Sequence, residues 1–83
     1  MDARRKRLLY RANYRGFKEA DLLLGGFAKK YMENLTEEEV VQFEELLHAK
    51  DHDIYDWIAG RAEAPAVFDT PILARLKTFR PNE

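Results

Sequence analysis

Eighty-three residues with a net charge of −1 and no cysteine bound the problem. They allow one domain with a core just large enough to fold alone, and they exclude disulfides and thiolate metal sites. The longest uninterrupted apolar run, Leu22-Leu23-Leu24, is far short of a bilayer span, so no membrane insertion is expected.

The small total charge hides a division. Residues 1–18 carry +6, residues 19–69 carry −9 and residues 70–83 carry +2. An acidic middle repels phosphate, so general nucleic-acid binding is not expected, whereas the basic block could meet an acidic patch on a protein. The Arg-rich start has the composition of a mitochondrial presequence, but it merges into the pattern of the folded chain and is read as mature protein. The absence of cysteine allows a reducing compartment without proving one, and a cytoplasmic, bacterial protein is the expectation.

Asp2 is a candidate N-cap, and the spacing predicts a helix over 3–13 with Leu8, Leu9 and Ala12 on its apolar face. Arg4-Arg5-Lys6-Arg7 lies at the positive end of that helix, where cations are mildly unfavourable, and reads as a solvated, frayed end. Tyr14-Arg15-Gly16-Phe17-Lys18-Glu19 then forms a corner. A glycine can take the positive φ that a tight reversal needs, and Glu19 falls in the first turn of the next helix, where free N–H groups favour a carboxylate. Arg15 is expected to project beside it.

A second helix is predicted over 17–32, with Phe17, Ala20, Leu24, Phe27 and Tyr31 forming its stripe. Gly25-Gly26 interrupts it at about 1 kcal/mol per glycine, which suggests a closely packed neighbour or a bend. A phosphate cradle would need a preceding strand and a helix N-terminus, and neither is present. The third helix, predicted over 37–50, starts with a Thr36/Glu39 capping box and a Leu35/Val40 staple. It buries Val40, Phe43, Leu46 and Leu47 and leaves Glu37, Glu38, Glu44 and Glu45 largely outward. A fourth helix over 53–59 is capped by Asp51 or Asp53, carries Ile54, Trp57 and Ile58 inward and stops at Gly60. Thr70-Pro71 opens a fifth over 71–80, with Ile72, Leu73, Leu76 and Phe79 inward and Pro81 as its stop. The fold class is therefore all-α, a compact five-helix bundle in a single domain over 1–83.

Catalytic chemistry is scarce. The chain has neither cysteine nor serine, and no HExxH, P-loop or dinucleotide fingerprint. His48, Asp51, His52 and Asp53 match no familiar ligand spacing, so no metal is expected. A non-enzymatic binding module is the better class.

Tyr14-Arg15-Gly16-Phe17-Lys18-Glu19-Ala20-Asp21 resembles the R-G-x-x-E signature of the succinate dehydrogenase flavinylation factors, also called FAD assembly factors. Leu35-Thr36-Glu37-Glu38-Glu39 with Phe43-Glu44-Glu45-Leu46-Leu47 is similar to that family's third helix. Asp51-His52-Asp53-Ile54-Tyr55-Asp56-Trp57-Ile58 is similar to its D-x-D-φ-x-x-W-φ segment, where φ is apolar. Phe17 stands where methionine is usual in the family, and His52 where proline is common. The resemblance implies a chaperone-like assembly factor that binds the flavoprotein subunit of succinate dehydrogenase, or of fumarate reductase, and promotes covalent FAD attachment there. It implies that FAD is the client's cofactor, with none bound tightly by this chain, and that the chain is a monomer. Arg15, Gly16 and Glu19, with Tyr14, Phe17 and Lys18, are then the partner-binding residues. Substitution of Arg15 or Glu19 should lower flavin attachment and leave thermal unfolding nearly unchanged. The alternative is a small antitoxin-like regulatory module that uses the basic first helix on nucleic acid, with Arg4, Arg5 and Arg7 as its contacts.

Overall fold

Three side-chain caps open three of the helices. Asp2 Oδ1 accepts from Arg5 N at 2.8 Å, Thr36 Oγ1 from Glu39 N at 3.1 Å and Thr70 Oγ1 from Leu73 N at 3.3 Å. The computed structural model describes residues 1–81. Among them run five α-helices: α1 (Ala3–Asn13), α2 (Lys18–Tyr31), α3 (Glu37–Leu46), α4 (Asp51–Ala59) and α5 (Pro71–Thr78). Single 3₁₀ turns lie at Met32–Asn34 and Ala66–Phe68, and no strand occurs among the described residues. The radius of gyration, 11.5 Å, is that of a compact globule of this length.

Helix ends depart from the sequence pattern where backbone groups find other partners. α3 stops at Leu46 rather than 50, because His48 N and Ala49 N bond three residues back, to Glu45 O and Leu46 O, tightening the last turn. α4 starts at Asp51 rather than 53, with Lys50 as an extended N-cap that gives no side-chain bond. Neither aspartate caps it; both lie in its first turn, where the free N–H groups favour carboxylates. α5 ends at Thr78, since Phe79 is already extended and the residue before Pro81 is pushed out of the α region.

One core joins all five helices. Leu8 and Ala12, Leu24 and Phe27, Val40 and Phe43, Ile54 and Trp57, and Leu73 and Leu76 are all buried in it. Phe27 sits near its middle, with Tyr31, Phe79 and Phe43 ring centroids at 5.0, 5.7 and 5.9 Å. Trp57 stacks on Phe68 at 5.2 Å and is 7% exposed. Gly25 settles the question its position raised. A Cβ there would stand 2.9 Å from Asn13 Cγ and 3.1 Å from Asn13 Cα, so α1 ends directly against the backbone of α2. The glycine pair reflects close helix packing.

The capping box also anchors α5. Glu39 Oε1 accepts from Thr36 N at 2.9 Å, and its Oε2 accepts from Arg75 Nη1 at 2.7 Å, while the Arg75 guanidinium lies over the Tyr31 ring at 5.0 Å. The Thr36 N–H is the largest influence holding the Glu39 carboxyl below its ordinary value; partial burial opposes it and Arg75 adds to the lowering. A carboxylate favoured in the folded state stabilises the protein above its unfolded pKa, and that contribution is lost as pH falls through the lowered folded value. Glu39→Gln should therefore melt lower than the parent at neutral pH, with the difference shrinking below about pH 4.5. Thermal unfolding by circular dichroism from neutral to acid pH checks this, and a pH-independent difference would count against it.

Candidate functional site

The corner between α1 and α2 is built from the backbone outward. α1 ends at Asn13, Gly16 takes φ +86°, and Phe17 is extended before α2 begins at Lys18. Nothing lies within 4 Å of where a Gly16 Cβ would be, so conformation rather than space selects glycine here. The turn is closed from the α2 side by Asp21, whose Oδ1 accepts from Arg15 N at 2.6 Å.

Arg15 does not project into solvent. Its Nε donates to Asp51 Oδ1 at 2.6 Å and its Nη2 donates to Ala49 O at 3.1 Å. The side chains of Arg15 and Asp51 are 12% and 21% exposed. One guanidinium thus ties the corner to the start of α4, in the charge-assisted geometry that makes such bonds strong. Phe17 completes the seam, half-buried, with the His52 ring 4.4 Å away and Tyr55 edge-on at 5.4 Å.

The other residues of the corner face outward. Gly16, Lys18 and Glu19 are exposed, and Tyr14 is 70% exposed. Glu19 lies in the first turn of α2, as its spacing indicates, and it forms no ion pair among the described residues. The carboxylate that orients Arg15 is that of Asp51. The surface is also wider than the signature. Tyr10, 66% exposed, packs its ring on Tyr14 at 4.6 Å. Their i, i+4 spacing on the outer side of α1 is the signal that would have included Tyr10.

The four residues considered as metal ligands are otherwise engaged or apart. Asp51 holds Arg15, His52 lies on Phe17, and His48 and Asp53 are exposed. Among the described residues no group of three His, Asp or Glu side chains is placed to hold a metal ion. The basic start of α1 is likewise not a free end. Arg4 pairs with Glu44 at 3.1 Å and Glu37 at 3.5 Å, and Arg5 Nη1 donates to Met32 O at 2.6 Å and Leu35 O at 2.8 Å. Lys6 and Arg7 remain exposed.

Fold and corner define a class: small all-helical proteins that present one rigid, internally braced polar corner to solvent. Within that class the chain belongs to the family described as flavinator of succinate dehydrogenase, whose family model matches residues 6–80. It is 42% identical over 74 residues to the FAD assembly factor SdhE of Acetobacter pasteurianus, an alignment covering 89% of this chain and 68% of that one. It is 40% identical over 84 residues to the mitochondrial succinate dehydrogenase assembly factor 2-B of Drosophila ananassae, covering 99% of this chain and 52% of the relative. Identity to the mitochondrial succinate dehydrogenase assembly factor 2 of Saccharomyces cerevisiae is 37% over 87 residues, covering 100% of this chain and 54% of the relative. The chain therefore spans about half the length of these mitochondrial relatives. These relatives also overturn one expectation. Mitochondrial proteins stand beside a bacterial one among them, so assignment to a bacterial cytoplasm does not hold.

Proposed function

We propose that this chain binds the flavoprotein subunit of succinate dehydrogenase through its α1–α2 corner and promotes covalent attachment of FAD to that subunit. Family membership supports the client, and a corner already held in place supports the mode of action. The fumarate reductase flavoprotein is a second client on this view. The chain acts as a single helical domain and as a monomer, and FAD remains the client's cofactor.

The chain supplies geometry rather than a reacting group. Arg15 braces the corner from inside, and Gly16, Lys18, Glu19 and Tyr14 face the client. A client held between two of its own conformations pays an entropic penalty to reach the reactive one, and a rigid surface that fits the reactive arrangement lowers that barrier by several kcal/mol. Arg15 thus enters as a positioning residue, and contact falls to its exposed neighbours. The nucleic-acid alternative loses support from the same geometry, because Arg4 is committed to α3 and Arg5 to the link between α2 and α3.

Glu19→Ala separates contact from stability. The carboxylate is exposed and unpaired, so thermal unfolding should move by no more than about 0.5 kcal/mol. Flavin attachment in a co-expressed subunit, read by in-gel flavin fluorescence, should slow about tenfold, or ~1.4 kcal/mol. Attachment at the parental rate would remove Glu19 from the interface.

A further inference from the structure

A second surface adjoins the corner and shares Lys18 and Asp21 with it. Along the outer side of α2, residues 18, 22, 26 and 29 recur at helical spacing and line a groove of about 550 Å³, closed on its far side by Phe79 and Pro81. Its floor is apolar. Leu22 is 53% exposed, and Gly26 has no side chain, so the Phe79 ring comes within 3.3 Å of where its Cβ would be. Its ends are cationic. Lys18 lies at one end and Lys29 and Lys30 at the other, all exposed and none in an ion pair among the described residues. Lys30 only leans on the Tyr31 ring at 5.5 Å. Among the described residues the lone carboxylate in the lining is Asp21, which is bonded to Arg15 N.

We infer that this groove receives an extended acidic segment of the client, with an apolar side chain over Leu22 and Gly26 and carboxylates facing the lysines at both ends. The inference rests on the docking proposed above, and the groove is continuous with that corner through Lys18 and Asp21. Charge and length both select the occupant. Among the described residues, three unpaired ammonium groups around one committed carboxylate leave the groove net positive, which attracts acidic partners and disfavours basic ones. Lys18 to Lys30 spans about 18 Å of helix, the reach of roughly five or six extended residues. A central apolar contact between charged ends fixes the register, which a point charge alone would not do.

The test is a titration of the ¹⁵N-labelled chain with the peptide acetyl-Glu-Asp-Leu-Phe-Asp-Glu-amide, with acetyl-Gln-Asn-Leu-Phe-Asn-Gln-amide and with phosphatidylglycerol vesicles. The acidic peptide should shift the amide resonances of Lys18, Leu22, Gly26 and Lys29 and weaken about fivefold when salt is raised from about 50 to about 300 mM. The double variant Lys29→Gln/Lys30→Gln should lose most of the response while melting at the parental temperature. Shifts confined to other residues, equal binding of the amide peptide, or a response to vesicles with none to the peptide would each overturn the inference. A parallel binding assay uses the succinate dehydrogenase flavoprotein subunit itself. Equal affinity of parent and double variant for the subunit removes the groove from docking and leaves the corner in place. A parent that ignores the subunit while the acidic peptide still fills the groove refutes the docking and upholds the peptide site.

Discussion

Replacing Arg15 with alanine is expected to destabilise the domain by about 3 kcal/mol, a fall of roughly 12 °C or more in melting temperature for a chain of this size. Loss of the guanidinium strands the Asp51 carboxylate and the Ala49 carbonyl in a seam where the pair is 12% and 21% exposed. Removing one partner of a largely dehydrated ion pair costs more than the pair contributes, because the survivor keeps its desolvation penalty. Asp51→Asn should cost somewhat less, since the amide can still accept from Nε. The Arg15→Ala/Asp51→Ala double variant should be less destabilised than the sum of its single variants, the sign of a direct coupling. Arg15→Lys should restore charge without the two-pronged contact and recover only part of the loss. Circular dichroism melts read each of these. A melting temperature for Arg15→Ala within about 2 °C of the parent would show that the seam does not hold the corner. The sequence alone suggested that this arginine could be removed without affecting unfolding. The contact with Asp51 reverses that expectation for Arg15 and leaves it intact for Glu19.

The second large effect belongs to Arg5→Ala, at about 2 kcal/mol. Its Nη1 satisfies two main-chain carbonyls, Met32 O and Leu35 O, where α2 runs out through a 3₁₀ turn, and its side chain is 13% exposed. Met32 O otherwise accepts only the long 3.4 Å bond from Leu35 N that closes this turn, so loss of the guanidinium leaves both carbonyls to water. Arg5 also meets Glu37 at 3.3 Å and Asp2 at 3.7 Å, but exposed carboxylates add little, so the carbonyl contacts dominate. Arg7→Ala is the internal control. That residue is exposed, and its loss should stay within about 0.5 kcal/mol. Equal melting of the two variants would mean that the basic run is solvated throughout.

Both arginines show which features the sequence carries and which it hides. Caps are local: Asp2 with Arg5, Thr36 with Glu39, Thr70 with Leu73 and Gly60 at the end of α4 are decided within a few residues, so pattern alone locates them. Burial is periodic, and the inward positions of α3 and α5 follow from it directly. The arginine contacts have neither property. Arg15 meets Asp51 across 36 positions and Arg5 meets Met32 across 27, and no spacing rule links such pairs before the helices are packed. The junction of α3 and α4 was misjudged for the same reason. The Ala49 carbonyl and the Asp51 carboxylate both serve Arg15, a residue on the far side of the fold in sequence. The corner itself was legible as a corner. Tyr10 was not assigned to it, although its i, i+4 spacing to Tyr14 along the predicted first helix carried that signal.

The stacked position of Trp57 on Phe68 makes the molecule its own spectrometer. The chain has a single tryptophan, so its emission has one source. That indole is shielded from water in the native state and lies six residues beyond Asp51 in α4, and on the proposed mode of docking it is no part of the corner. A blue-shifted emission maximum that moves red only when the whole core opens would let the same cuvette separate an engagement event, which leaves the colour alone, from a collapse of the fold, which does not.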